Sequence, residues 1–203
     1  IKIVEKRILD SINKGDEVSY IDLLLLMSYE EILSYKKIYK FLKNRPKNKY
    51  PELKEILKKE ILDREEEENI SKDIKSFSNI EDSISKKVKS QYEENPYPRW
   101  MSVSNIQNNK DLRTGETYTN YFDVILNNLP VKGKPVKTKK PRILVAGCGT
   151  GKQPISISLA DKNLNIDAFD ISLASLSYGI RMARELGINN INWFQADILD
   201  LKK

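Results

Sequence analysis

"RILVAGCGTGKQPI" (Arg142–Ile155) packs three glycines, Gly147, Gly149 and Gly151, into five positions directly after a run of apolar, strand-favouring residues. A backbone stripped of side chains between a strand and a helix lets a ligand approach closely and meet the first amides of the helix. Two nucleotide-site patterns fail on spacing. A P-loop would need its early glycine at Ala146 and its hydroxyl at Gln153, and the dinucleotide fingerprint would need a small residue at Lys152. The spacing that remains is G-x-G-x-G.

Downstream, the sequence alternates between strand and helix. "QPISISLADK" carries a helical pattern with Ile155, Leu159 and Ala160 inward, "NIDAFDI" is a second strand, "LASLSYGIRMARELGI" a second helix and "INWFQADIL" a third strand. Strands separated by helices of this length pair in parallel through crossover connections. The predicted fold class is α/β: an N-terminal α-helical region followed by the first half of a Rossmann-like, mostly parallel doubly wound sheet.

Three stretches in this order resemble the class I S-adenosylmethionine-dependent methyltransferases. "ILVAGCGTG" is similar to their first motif, "AFDIS" to their second with Asp170 at the end of strand two, and "FQADI" to the motif after strand three with Asp197. The resemblance implies that Gly147, Gly149 and Gly151 line the methionine and ribose portion of the cofactor. It further implies that Asp170 accepts from the ribose hydroxyls, that Asp197 receives the adenine amino group, and that Ile171 and Ile198 flank the adenine ring. S-adenosyl-L-methionine carries no phosphate, so the site needs no anion cradle, and a carboxylate is suited to accepting from neighbouring hydroxyls. The alternative for the two acids is that they cap the helices that follow them. One position departs from the pattern: many family members have an acid two residues before the first glycine, and here that position is Val145.

"QYEENPYPRW" (Gln91–Trp100) resembles a phrase before the glycine motif in a subgroup of these enzymes, some of which carry helical or tetratricopeptide-type N-terminal regions. Its two prolines hold Asn95 and Tyr97 extended, so the segment presents Tyr97, Arg99 and Trp100 with little entropy left to lose. One expectation places these three as substrate or lid residues near the methyl group. The other has Trp100 and Tyr92 stapling the helical region to the catalytic domain. Cys148 has no visible activating base and is expected to be a small residue in a crowded turn. No catalytic residue is named, because the motif after strand four is not among these residues.

Upstream, Ser19 to Asn44 has neither Gly nor Pro, and Leu25, Ile32, Tyr35, Tyr39 and Leu42 recur at helical spacing until Pro46. A second helix starts near Pro51 with Leu53, Ile56, Leu57, Glu60 and Ile61 along one side, and its acidic run Glu65–Glu68 reads as a solvated face. Ile80, Ile84, Val88 and Tyr92 mark a third helix, capped by Ser78 or Asn79 and ending near Glu94. A short helix is expected over Thr117–Asn127, then a basic connector, "VKGKPVKTKKP". The expected domains are 1–90 (helical), 91–140 (aromatic segment, short helix and connector) and 141–203 (first half of the Rossmann-like domain).

The chain contains no histidine, which removes His as a general base and as a zinc ligand, and no metal site is expected. Its single cysteine cannot form an internal disulfide, and the first ten residues lack the apolar centre of a secretory signal, so a cytoplasmic setting is expected. Net charge is +6, but the basic residues are interleaved with acids, 20 against 18 in residues 1–90, so nucleic-acid binding is not supported. No apolar run approaches the roughly 20 residues of a membrane span. A protein partner through the N-terminal helices is allowed. The chain ends just after strand three and is expected to be a fragment of a longer methyltransferase, inactive alone. Two other readings stay open: a nicotinamide-dependent oxidoreductase, which the glycine spacing opposes, and a noncatalytic helical interaction module with a degenerate Rossmann-like half.

Overall fold

A computed structural model describes residues 1–46, 49–103 and 142–200. The short helix expected over Thr117–Asn127 and the basic connector lie outside the described residues. The chain divides into two compact units, Ile1–Glu66 and Glu67–Lys203. That division falls earlier than residue 90, because the third helix of the sequence reading belongs with the sheet rather than with the helices before it.

The first unit is built from α1 (Lys2–Lys14), α2 (Tyr20–Met27), α3 (Lys36–Lys43) and the run that starts at Pro51 and contains α4 (Lys54–Leu57). Its core gathers Ile8, Leu23, Leu26, Ile32, Ile38, Leu42, Leu53 and Ile61. The apparently continuous pattern from Ser19 to Asn44 is broken after Met27, where the Ser28 hydroxyl donates to the Leu24 carbonyl (2.7 Å) at the end of α2. The break turns Leu23 and Leu26 inward and leaves Leu25 exposed, contrary to the expected stripe. Helix α1 was not foreseen, since its charges and apolar residues alternate too closely to stand out. It ends at Gly15, whose left-handed backbone (φ 77°) turns the chain so that the Asp16 N–H reaches the Ser11 carbonyl (2.9 Å).

The run from Pro51 passes through a wide π-type turn, Lys58–Leu62, into α5 (Asp63–Asp73), which carries the chain into the second unit. There β1 (Arg142–Ala146), β2 (Asn165–Asp170) and β3 (Ile191–Gln195) form a parallel sheet in the order β1-β2-β3. The crossovers are α7 (Lys152–Ala160) and α8 (Leu173–Glu185). This is the predicted architecture, a helical N-terminal region leading into half of a Rossmann-like sheet. Val145, Ile166, Ala168 and Ile191 share one buried cluster with Ile155, Ile157, Leu176 and Met182 of the two helices. Burying this continuous apolar layer fixes the strand register, since a slip of one residue would expose every member.

Helix α6 (Ser83–Glu94) packs against α8. Its cap is Asp82, not Ser78 or Asn79: Asp82 Oδ1 accepts from the Ile84 and Ser85 amides, both at 2.9 Å. Those amide bonds hold the Asp82 carboxyl below its ordinary pKa. Ser78 is used elsewhere, accepting the Asp197 N–H (2.8 Å). No helix among the described residues is long and apolar enough to cross a membrane, and no group of three His, Cys, Asp or Glu side chains in them could hold a metal ion.

Candidate functional site

The strands of a parallel sheet all end on the same side, so the residues just after β1, β2 and β3 converge. Gly147 and Gly149 follow β1, Asp170 and Ile171 stand at the end of β2, and Ala196, Asp197 and Ile198 follow β3. All of them line one pocket of about 520 Å³, together with Phe169, Ser175 and Leu199. The size falls within the range of small-molecule sites. Among the described residues, the lining contains two carboxylates and no Lys or Arg.

The glycine turn is held from below. Asp170 Oδ2 accepts the Gly149 N–H (2.8 Å), and Asp170 Oδ1 accepts the Ser172 N–H (3.0 Å). Asp170 therefore braces the turn and the start of α8, as the structural alternative for this acid requires. A carboxylate offers about four lone-pair positions, so acceptor capacity remains on both oxygens for a ligand. Asp197 is buried, and its Oδ1 accepts the Leu199 N–H (3.0 Å), leaving the second oxygen available.

Gly147 (φ 63°) and Gly149 (φ 54°) have open space where a Cβ would stand. Gly151 (φ 79°) does not belong with them. A Cβ there would lie 2.6 Å from the Trp193 ring and 3.0 Å from the Gly179 Cα, and Gly151 is absent from the pocket lining. The third glycine is a packing position between α7, α8 and β3. Val145 is buried in the core beneath the sheet, so the departure from the family pattern removes an acid from a place already filled by apolar packing.

The aromatic segment also divides. Tyr97 lines the pocket and is largely exposed, whereas Arg99 and Trp100 do not line it. Trp100 is buried, its Nε1 donating to the Thr150 carbonyl (3.0 Å), and its own carbonyl accepts the Tyr178 hydroxyl. Thr150 Oγ1 returns a bond to the Pro98 carbonyl (2.7 Å). Arg99 pairs with Glu67 and lies over the Tyr178 ring, which Arg181 also approaches. Trp100 thus clamps the glycine turn to α8, and Arg99 ties α5 to α8, both from outside the pocket.

The acidic run of α5 is not wholly a solvated face. Glu67 is buried, and its Oε1 accepts from Arg181 Nε (2.9 Å) while Oε2 takes Arg99. The sequence signal for this partner was weak, since Arg181 lies far along the chain. Burial raises the pKa of Tyr178 above its ordinary value, against the opposing pull of Arg181 and Arg99. Burial and the nearby Asp170 charge likewise push the Cys148 thiol up, so it stays protonated and is a poor nucleophile, as its crowded position implied.

The remaining wall was missed. Ile84, Ser85, Val88 and Tyr92 of α6 all line the pocket, and the apolar stripe read as an ordinary helical face is its side. The available signal was its position immediately before the aromatic segment. A second hollow of about 820 Å³ runs along β3 past Phe77, Arg142, Asp167 and Trp193. Its Arg142 and Asp167 are paired with each other (2.6 Å), and it contains neither the glycine turn nor the strand-end acids.

No protein-family model matches the chain, and no curated protein matches it in sequence. Among solved structures it is similar to PKMT2 from Rickettsia typhi in complex with AdoHcy, at 23% identity over 34% of this chain and 14% of that one, with a TM-score of 0.31. It is also similar to the [4+2]-cyclase SpnF, at 18% identity over 59% of this chain and 45% of that one, TM-score 0.36. A third likeness is to coclaurine N-methyltransferase bound to N-methylheliamine and SAH, at 17% identity over 84% of this chain and 52% of that one, TM-score 0.38. The chain spans about half or less of the length of these proteins, and at such TM-scores the likenesses carry no argument about the site.

Proposed function

We propose that this chain forms the nucleoside-binding part of an S-adenosyl-L-methionine site and serves methyl transfer to an acceptor that the residues in hand do not specify. The observation that carries the reading is the meeting of Asp170, Asp197, Gly147 and Gly149 in one apolar pocket whose lining, among the described residues, includes no cationic side chain. The residues fit that ligand. Asp170 has acceptor capacity left for two adjacent hydroxyls, Asp197 has a free oxygen for an exocyclic amine, and Ile171 and Ile198 supply apolar flanks for a purine. The open space beside Gly147 and Gly149 admits the ligand close to the backbone, and Tyr97 stands at the rim.

When bound, S-adenosyl-L-methionine supplies a methyl group already activated on a sulfonium. The residues of this chain need only bind and orient, which is where much of the catalysis of an in-line displacement lies. A dinucleotide would bring a pyrophosphate into a pocket whose described side chains offer two negative charges and no cation, and this disfavours the nicotinamide alternative.

Calorimetric titration of the full-length protein with S-adenosylhomocysteine and, separately, with NADH tests the reading. Binding of the first alone is expected. Asp170→Asn and Asp197→Asn should each weaken it about 10- to 100-fold, the equivalent of one or two charge-assisted hydrogen bonds. Binding of NADH without S-adenosylhomocysteine, or full affinity in both variants, overturns it.

A further inference from the structure

Helix α6 forms one wall of the pocket, yet little burial holds it there. Of its twelve residues only Ser85 is fully buried, and its apolar stripe of Ile84, Val88 and Tyr92 remains 70%, 38% and 37% exposed because it faces the open pocket. Asp82 caps α6 but bonds only within its own helix. The polar tie to the sheet side comes from the last turn: Glu93 Oε1 accepts the Leu173 N–H (2.8 Å) and Oε2 accepts the Ala174 N–H (3.0 Å). These are the first amides of α8, where an anion is favoured by unsatisfied donors and by the helix dipole. The next amide, Ser175, is taken by the Ser172 hydroxyl (3.1 Å), so Glu93 and Ser172 share the cap. The latch closes three residues beyond Asp170, beside the acid assigned to the ribose.

We propose that Glu93 is a positioning residue: its carboxylate latches α6 onto the amino terminus of α8 and so holds the apolar wall of the nucleoside pocket in place. The proposal rests on the reading of that pocket as a nucleoside site, although the latch itself can be tested without ligand. A helix with so little buried surface leaves its place when a pair of charge-assisted bonds is removed, and a ligand then binds only the fraction of molecules in which the wall is present.

The test combines amide hydrogen exchange on the ligand-free full-length protein with titration by S-adenosylhomocysteine, using Glu93→Ala, Glu93→Gln and Ser172→Ala. Glu93→Ala should speed exchange across residues 84–94 and at Leu173 and Ala174 by tenfold or more, and weaken S-adenosylhomocysteine about tenfold. Glu93→Gln preserves the shape and one acceptor oxygen and should fall between Glu93→Ala and the native protein. Ser172→Ala removes a cap from the same end of α8 without touching α6. It should lower the melting temperature while leaving exchange in α6 unchanged, which a general loosening of α8 would not do. Native exchange across α6 in Glu93→Ala, or equal α6 exchange in Glu93→Ala and Ser172→Ala, overturns the latch. Absence of binding by the native protein with altered exchange in Glu93→Ala sinks the nucleoside reading and leaves the latch standing.

Discussion

Gly149 and Gly151 stand two positions apart, both in left-handed backbone, and a methyl group added to each meets different surroundings. At Gly149 it projects into open space at the pocket, so Gly149→Ala carries only the backbone strain of about 1 kcal/mol and should lose S-adenosylhomocysteine binding far more than stability. At Gly151 the added carbon would overlap the Trp193 ring and crowd Gly179, so Gly151→Ala should cost about 3 kcal/mol in chemical denaturation. Comparing midpoints and affinities for the two variants separates a ligand-facing glycine from a packing one. A large stability loss at Gly149 with native affinity would reverse the assignment. The motif spacing makes the two glycines look alike, because it records where a side chain is absent and not what occupies the vacated volume.

At the scale of elements, Glu67 joins α5, the Arg99 segment and α8 through a buried carboxylate shared by two guanidinium groups. Removing one partner of a buried pair leaves the other uncompensated, and Glu67→Ala is expected to destabilise the second unit by about 3 kcal/mol, with Arg181 retaining Glu185 (3.1 Å). Urea denaturation measures it, and a change below about 1 kcal/mol, the range of exposed pairs, would show that the pair is solvated in solution. Neighbouring Glu65 pairs with Lys43 within the first unit (2.6 Å), so one acidic run is divided between two folding units. Adjacent helical residues point in different directions, and four consecutive glutamates read alike while Glu67 is the one shown here to pair with the buried Arg181.

On the scale of the whole molecule, the two hydrophobic cores share no residue among those described. Leu23 is fully buried in the first, and Leu23→Ala should cost that unit about 3 kcal/mol while changing the S-adenosylhomocysteine affinity of the second less than twofold. A parallel loss of affinity in calorimetry would show the units to be energetically coupled. Alkaline pH probes the second unit through Tyr178. Burial raises its folded pKa, so its contribution is fully present below the unfolded value of about 10 and is lost as pH rises through the folded one. Melting temperature should therefore fall more steeply above about pH 10 in the native protein than in Tyr178→Phe. Tyr35 and Tyr50, also raised by burial, leave a residual slope in that variant. Identical slopes in both proteins would remove Tyr178 from this account.

The alternation of strand and helix after Arg142, the glycine-rich turn and the acids at two strand ends were all legible in the sequence. Each is written in local spacing, and parallel strands necessarily bring their ends to one side. Tertiary structure alone decided which glycines face the pocket, which glutamate is buried, and that Ile84, Val88 and Tyr92 border a pocket instead of a core. Periodicity marks a side of a helix as apolar, whereas the neighbour that covers it, or leaves it open, comes from residues as distant as Glu93 from Leu173 or Glu67 from Arg181.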